Sequence, residues 1–458
     1  MKRIVRLQNY GTMNSLQKMP QFTRTSSTHP CVYIIPLGGI GEFKNNLTVI
    51  QYKNHILLID CGSGMFTDKY RYPAISYLKD KHIVGLLLTH GHDDHIGGIQ
   101  YLCQTLNQEF PIFGTKFTLT RFDERTSHQF STQYVQVSPR ERIPIAEFFV
   151  TPIMVEHSIP DSVAYHIETP EGTIFHTGDF HFLKEYLSNP PQNFDIPFLK
   201  RLYQKTPPIL MLCDSTNAEN LICGHTNREL YTALESIFRN NPSKRLFFCI
   251  FSSNIERIKM LIKLSKKYNR EICVGGTSLN TAIQYSQKIG YLPKIETQDI
   301  DGLNYYEKSK EICLITGSQG ETSSMLPRLL NGFGANSFDK NDVIIFSASV
   351  IPGNEICVNK LINELVITGA EYIDNKKQLT HISGHTNAPD LQAYIQFIHP
   401  KYFIPVHGEM RQIYANRKLA IAAGVPEDHI FIPTNSQAYR LMNNTVTVGN
   451  KVINDNVR

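Results

Sequence analysis

An apolar run that ends in a loop crowded with histidines and aspartates is the feature that most constrains this chain. Residues 86–89 read Leu-Leu-Leu-Thr, and residues 90–95 read His-Gly-His-Asp-Asp-His. The apolar run predicts a buried strand. The predicted metal ligands of the loop are His90, His92, Asp94 and His95. Such close neighbours cannot all reach one tetrahedral ion, so the first two are assigned to one ion and the last two to another. Metal-assisted hydrolysis uses such a pair of ions.

Four more acidic or imidazole groups follow apolar stretches elsewhere in the chain. They are Asp60, His157, Asp179 and His407. Polar groups at the ends of several strands favour one shared site at the edge of a sheet. A solvated surface loop would explain the histidine-rich motif taken alone. An ordinary core histidine would explain His157 or His407 taken alone.

Together, the histidine-rich loop, Asp60, His157 and Asp179 resemble the metallo-β-lactamase superfamily. Further segments resemble ribonuclease J, an RNA-processing family of the β-CASP branch, in the family's order from about Val32 onward. These segments are residues 35–42, 157–162, 214–218, 316–321, 347–355, 381–385 and 405–409. The resemblance implies an α/β fold, a metallo-β-lactamase αββα sandwich with an inserted β-CASP α/β domain.

The resemblance also implies two zinc ions per chain, with manganese or magnesium as alternatives in activity. Carried over residue by residue, the first ion has the ligands His90, His92 and His157. The second ion has the ligands Asp94, His95 and His407, and Asp179 bridges both. Asp60 orients the loop without binding metal, as outer carboxylates of metal sites do.

The catalytic residues that the resemblance implies are His385, Asp94 and Asp214. A hydroxide held between the ions attacks phosphorus, and the ions neutralise charge on the phosphoryl oxygens. His385, with Asp214 as its polar partner, protonates the departing 3′ oxygen. The implied activity is 5′-to-3′ exonuclease, endonuclease, or both, in RNA processing and decay.

Loops of small hydroxyl and glycine residues follow three apolar runs, which end at Phe251, Ile315 and Phe346. Such loops offer N–H and hydroxyl donors to phosphate, although each alone is also explained as a tight turn. In the family, such loops hold the RNA backbone and a 5′-monophosphate. The implied RNA-binding residues are Ser253, Asn254, Ile255, Ser318, Gln319, Gly320, Glu321, Ser347, Ser349, His381, Ile382, Ser383, Gly384 and His385. The chain departs from the family at Glu256, which stands where the family usually has a histidine. It departs again at residues 275–278, which read Gly-Gly-Thr-Ser and lack the arginine of the family's common Gly-Arg-Ser.

Alternating strand-like and helix-like runs, with the resemblance, predict the domain organisation. A basic, polar N-terminal arm occupies 1–31. The metallo-β-lactamase domain has two parts, 32–215 and 376–458, around a β-CASP domain at 216–375. The chain is expected to lack the extra C-terminal domain that the family usually carries, so the oligomeric state stays open.

Composition agrees with a globular protein that has no membrane span. Hydrophobic residues make up 41% of the 458 residues, and no apolar run approaches the roughly 20 residues that cross a bilayer. The nine cysteines sit mostly in apolar strands and predict buried thiols in a reducing compartment. The expected location is therefore the cytoplasm, with organellar import through the basic arm as the alternative. The net charge of +5 permits RNA as a partner without requiring it.

Three functions remain open from the sequence. The first is the zinc-dependent ribonuclease, with RNA as substrate, a preference for a 5′ monophosphate, and a homodimer or an RNA-decay complex as assembly. A DNA-directed β-CASP nuclease is its variant, because no residue shows recognition of the 2′-OH. The second is another hydrolase on the same site, such as a lactonase or thioesterase. The third is a noncatalytic RNA-binding scaffold.

Overall fold

The computed structural model describes residues 30–64, 72–126, 133–300, 307–332, 338–351 and 353–453, so nearly all of the predicted arm lies outside them. The described chain forms two compact units. The sandwich unit contains residues up to 156, 161–222 and 385 onward, and the inserted unit contains 157–160 and 223–384. The chain passes from the sandwich unit into the inserted unit after Ile222 and returns at His385.

Strands and short helices alternate along the described chain. The strands are β1 Val32–Gly38, β2 Leu47–Tyr52, β3 His55–Ile59, β4 His82–Leu87, β5 Ile112–Gly114, β6 Tyr134–Gln136, β7 Ile143–Ile145, β8 Phe148–Met154, β9 Val163–Thr169, β10 Gly172–His176, β11 Leu210–Asp214, β12 Arg245–Cys249, β13 Glu271–Gly275, β14 Gln298–Asp299, β15 Glu311–Ile315, β16 Asp342–Phe346, β17 Glu371–Ile373, β18 Tyr402–Val406, β19 Gln437–Met442 and β20 Thr445–Lys451. The α-helices are α1 Asp93–Ile96, α2 Ile99–Leu106, α3 Lys116–Arg125, α4 Ile196–Tyr203, α5 Asn227–Asn240, α6 Ile255–Lys267, α7 Thr277–Lys288, α8 Met325–Leu330, α9 Glu355–Ile367, α10 Ala388–Ile398 and α11 Met410–Ala422.

Two sheets form the sandwich unit. The first has the strand order β20-β19-β1-β2-β3-β4-β5-β6, and the second has the order β18-β11-β10-β9-β8-β7. Side chains from both sheets, such as Ile50, Leu87, Tyr165 and Ile404, meet in one buried core. Each fully buried aliphatic side chain contributes about 1.5–3 kcal/mol relative to exposure.

Helices cover the outer face of each sheet in the sandwich unit. Ile99 and Leu102 of α2 pack in a core with strands of the first sheet. Leu199 of α4 and Leu391 of α10 pack in a core with strands of the second. This arrangement confirms the predicted αββα sandwich.

The inserted unit is a parallel sheet with helices. Its strand order is β14-β13-β15-β12-β16-β17, and every pairing is parallel. Leu326 of α8 and Leu361 of α9 pack against this sheet. At the start of β12, the buried Arg245 lies 2.9 Å from Asp342 and 3.3 Å from Glu311. Both carboxylates compensate the guanidinium charge, which would be costly to bury unpaired. The predicted inserted α/β domain is therefore confirmed.

The cysteines and helices bear on two predictions made from composition. All nine cysteines lie in the described part of the chain as free thiols, and the four in apolar strands, Cys213, Cys249, Cys273 and Cys313, are buried as predicted. In the part of the chain that the structure describes, the helices are too short or too polar to traverse a bilayer.

Candidate metal centre

Adjacent strand ends bring the predicted ligands of the sandwich unit together. Strands β10, β11 and β18 are parallel neighbours. Their carboxyl ends therefore share one edge of the sheet, and Asp179, Asp214 and His407 lie at or just after those ends. His407 has a left-handed backbone, with φ of 55°. Such a conformation in a nonglycine residue is rare and typical of functional sites.

Four ligand-type side chains converge at this edge. They are Asp94, His95, Asp179 and His407, and their ligand atoms all lie within 4.8 Å of one another. His95 Nε2 lies 3.2 Å from an oxygen of Asp179, and His407 Nε2 lies 3.4 Å from an oxygen of Asp94. Imidazole nitrogens and carboxylate oxygens aimed at one small volume are the donor set that zinc takes in proteins. The residues therefore fit a divalent metal.

The charges within this cluster reinforce one another. Burial lowers the pKa of His407, but Asp179, Asp214 and Asp94 outweigh burial and raise it to about 10. Burial raises the pKa of Asp94, but His95 and His407 outweigh it and lower it to about 2. The carboxylates thus stay ionised and attract positive charge, which a metal ion supplies when the histidines are neutral.

Asp60 lies directly behind the cluster. It follows β3 with a left-handed backbone, φ of 57°, and is 1% exposed. One of its carboxylate oxygens accepts from the Thr89 backbone N–H at 2.8 Å, and the other lies 2.8 Å from His95 Nδ1. This contact leaves His95 Nε2 facing Asp94 and Asp179. The position fits the predicted orienting role.

His90 and His92 start the histidine-rich loop and lie close to Asp179 and to each other. His90 is fully buried, and its Nε2 lies 3.1 Å from His92 Nδ1 and 3.7 Å from an oxygen of Asp179. Asp93, between the predicted ligands, turns outward and pairs with Arg125 at 2.8 Å. The Asp93 carboxylate therefore pairs with an arginine at the surface and does not join the predicted ligands.

His385 and Asp214 form a second arrangement beside the cluster. His385 Nδ1 lies 2.7 Å from one oxygen of Asp214. Burial lowers the pKa of His385, but Asp214 and Asp179 outweigh it and raise it. His385 Nε2 faces the cluster, 3.9 Å from Asp179. A protonated imidazole held by a carboxylate can deliver a proton from Nε2.

Sequence reasoning missed two residues that hold this site together. The Thr216 hydroxyl donates to Asp214 at 2.7 Å and lies 2.7 Å from His407 Nδ1. The side-chain amide of Asn46 donates to the Asp94 carbonyl at 3.1 Å. Thr216 belongs to a segment that carries the family resemblance, but nothing in the sequence shows that its hydroxyl joins Asp214 to a histidine nearly two hundred residues away.

His157 belongs to the inserted unit, together with Gly384. Its Nδ1 lies 2.6 Å from the carbonyl oxygen of Gly384. A Cβ added to Gly384 would come within 2.6 Å of that same nitrogen, so only glycine fits there without displacement. Because Nδ1 is engaged by a carbonyl, Nε2 is the nitrogen of His157 that can act as a ligand.

The predicted RNA-binding loops of the inserted unit follow β12, β15 and β16, which are adjacent parallel strands. Buried Arg257 donates to the Ser347 hydroxyl and to the Thr380 carbonyl. Gln319 donates to the Ser349 carbonyl at 2.9 Å. These contacts link α6 and the loop after β15 to the loop after β16, which carries both Ser347 and Ser349.

Other predicted RNA-binding residues have structural contacts of their own. Asn254 caps α6 by accepting from the Arg257 N–H at 3.1 Å. The Ile255 side chain is fully buried, so only its backbone can face a ligand. His381 is also buried, whereas Glu321 is exposed. Burial, followed by the charge of Arg257, lowers the pKa of His381 to about 3.

Family models match most of the chain. The metallo-β-lactamase superfamily matches residues 40–225, the β-CASP domain of ribonuclease J matches 243–365, and the zinc-dependent metallo-hydrolase RNA specificity domain matches 374–433. A crystal structure of an Enterococcus faecalis protein of unknown function has a TM-score of 0.64 at 14% identity, covering 90% of this chain and all of that one. This likeness supports the fold alone.

Curated relatives are named ribonuclease J. The Helicobacter pylori protein is 34% identical over 430 residues, which is 90% of this chain and 61% of the relative. The Mycobacterium tuberculosis protein is 32% identical over 435 residues, which is 92% of this chain and 76% of the relative. The chain thus spans about three fifths of the length of the Helicobacter relative.

Proposed function

The chain belongs to the ribonuclease J family, and we propose on that basis that it is a metal-dependent ribonuclease that hydrolyses RNA phosphodiesters. The observation that carries the proposal is the convergence of Asp94, His95, Asp179 and His407, with His385 and Asp214 beside them. A noncatalytic scaffold has no physical need of this charged, buried set, because burying ionisable groups is costly.

We assign two zinc ions to the site. His90, His92 and His157 would hold the first ion, Asp94, His95 and His407 the second, and Asp179 both. The imidazole and carboxylate donors support zinc, with manganese or magnesium as alternatives in activity. Bound divalent ions lower the pKa of water and neutralise charge on phosphoryl oxygens.

The residues of the chain contribute the rest of the reaction. His385 donates a proton from Nε2 to the departing 3′ oxygen, because an alkoxide is a poor leaving group unless it is protonated. Asp214 holds His385 through the 2.7 Å contact to Nδ1 and favours its protonated form. Asp60 orients His95, and Thr216 orients His407, each through a contact to the Nδ1 nitrogen of the imidazole.

The substrate is proposed to be RNA with a 5′ monophosphate, cleaved from the 5′ end, internally, or both. Buried Arg257 and the linked loops of Ser347 and Gln319 support phosphate binding in the inserted unit. A homodimer or an RNA-decay complex, in the cytoplasm, is the assembly that fits this role.

One RNA, supplied with either a 5′ monophosphate or a 5′ triphosphate, tests the proposal. The purified protein is incubated with each form, with metal and with a chelator. We expect metal-dependent release of mononucleotides from the monophosphate form. Equal internal cutting of both forms would retain the nuclease and remove the end preference. No cleavage by protein that holds two metal ions would overturn the ribonuclease in favour of another hydrolase substrate.

A further inference from the structure

A loop between β1 and β2 is fixed against the metal centre through its backbone. Ile40 and Glu42 each form a β-bridge with Gly408, next to the predicted ligand His407. At the other end of the loop, Asn46 donates to the Asp94 carbonyl. The loop is thus held at both ends by segments that carry ligands, so its side chains have defined positions relative to the centre.

Phe43 is the aromatic residue of this loop. Its ring centroid lies 6.2 Å from that of His407, with an angle of 63° between the planes. Asn46 fixes the backbone here, because its amide donates to the Phe43 carbonyl at 3.2 Å. The Phe43 side chain is partly exposed, whereas Phe117 and Phe148 of the same unit are fully buried. Core packing therefore does not account for its position.

Met410 adds apolar surface to the same loop. It is 38% exposed, and a Cβ added to Gly41 would lie 3.7 Å from its sulfur. The phenyl ring lies beside a cluster of charged donors, and the polarisable thioether lies near the same loop; both offer apolar surface suited to a flat, polarisable group. Nucleobases are such groups, and they stack on aromatic side chains in single-stranded complexes.

We propose that Phe43 is a stacking platform for a nucleobase of the substrate, at a nucleotide next to the one whose phosphate is hydrolysed. This inference rests on the proposed ribonuclease function. The plane of the Phe43 ring is inclined by 63° to that of His407 and its side chain is partly exposed, so part of the ring remains available to a ligand. Every base has a π-face, so such a platform binds nucleic acid without selecting the base. Phe43 therefore contributes to substrate affinity and to the position of the scissile phosphate.

A coupling experiment with abasic RNA tests the platform. The intact protein and Phe43→Ala are compared on short RNAs that carry a single abasic ribose at each position in turn. We expect Phe43→Ala to raise KM on normal RNA by about tenfold. At one position, the abasic substitution should raise the KM of the intact protein by the same factor as Phe43→Ala does. It should leave the KM of Phe43→Ala unchanged, because both changes remove the same contact. Independent effects at every position would overturn the proposal.

Phe43→Leu separates stacking from simple packing against His407. Leucine retains an apolar contact but has no π-face. We expect Phe43→Leu to keep full metal content and to show the same KM defect as Phe43→Ala. Full recovery of KM by leucine would show that Phe43 only packs against the histidine, and metal loss in both variants would lead to the same conclusion.

Phe43→Trp gives a direct optical readout. The chain contains no tryptophan, so this variant has a single indole fluorophore. In a background with His385→Ala to suppress turnover, single-stranded RNA should quench the indole, and RNA abasic at the coupled position should not. Equal quenching by both RNAs would contradict stacking. If the intact protein cleaves no RNA at all, the proposed function fails, whereas cleavage without coupling removes only the platform.

Discussion

The ligand edge of the sandwich unit and the strand-end loops of the inserted unit have opposite electrostatics. Both follow the carboxyl ends of adjacent parallel strands, where binding sites of α/β proteins commonly form. In the sandwich unit, Asp94, Asp179 and Asp214 surround the histidines. In the inserted unit, a buried guanidinium, Arg257, lies beside His381.

The pKa values of the two histidines show the consequence. Burial lowers the pKa of both, but the carboxylates around His407 reverse the effect and raise its pKa to about 10. No such reversal occurs at His381, where Arg257 acts in the same direction as burial and the pKa falls to about 3. The same topological position thus favours a cation in one unit and an anion in the other, as the proposed metal-dependent ribonuclease would require.

Asp179→Asn is expected to have the largest effect on the ligand edge of the sandwich unit. Asp179 lies 3.2 Å from His95, 3.6 Å from His407 and 3.7 Å from His90. Removing its charge should strip at least one metal ion per chain and reduce turnover by roughly 1,000-fold or more. Atomic emission of the purified variant measures the metal. Asp93→Asn is the control, because this exposed carboxylate pairs with Arg125 instead. Two ions per chain in Asp179→Asn would refute the bridging role.

His385→Ala should separate proton donation from metal binding. We expect metal content to stay intact and turnover to fall by roughly 100- to 10,000-fold, as for a lost general acid. Metal analysis and single-turnover rates on one RNA check this expectation. His225→Ala, at an exposed histidine paired with Glu229, should have neither effect. Loss of metal together with activity would show that His385 serves the metal centre instead.

The strand ends of the sandwich could be predicted because apolar runs that stop at a histidine or aspartate are visible in the sequence. Asp60, Asp179 and His407 all lie where this pattern put them. The contacts of Thr216 and Asn46 could not be predicted, because each side chain reaches a partner far away in the chain. The pattern also does not predict the direction of a side chain. Ile255 is assigned to RNA binding through the family, but its side chain lies in the core.

Thr216→Val tests whether a neutral hydroxyl contributes to metal affinity at the ligand edge of the sandwich unit. In the structure, this hydroxyl joins Asp214 to the nitrogen of His407 that faces away from the other ligands. Outer partners of this kind typically contribute 10- to 100-fold to metal affinity. We expect about that loss, measured by competition with a chelator. Thr216→Ser keeps the hydroxyl and should retain affinity, and equal affinities of the two variants would exclude the role.

His381→Asn tests the electrostatics of the strand-end loops of the inserted unit, through the pH dependence of the free energy of unfolding. The pKa of His381 falls from 6.5 to about 3 in the folded chain. Between these values the unfolded chain binds the additional proton, so acid favours unfolding. The contribution of His381 to stability is therefore complete above pH 6.5 and is lost as the pH falls, with a slope of up to about 1.4 kcal/mol per pH unit.

Urea unfolding of the intact protein and of His381→Asn, from pH 7 to pH 5, measures this slope. Groups common to both proteins, including the metal ligands, cancel in the difference. The variant should lose less stability in acid than the intact protein does. His399→Asn is the matched control, because this histidine is exposed and has φ of 54°, a backbone that asparagine tolerates. Equal slopes for the intact protein and His381→Asn would mean that His381 accepts a proton in the folded chain. The contrast between the two units would then rest on the carboxylates of the sandwich alone.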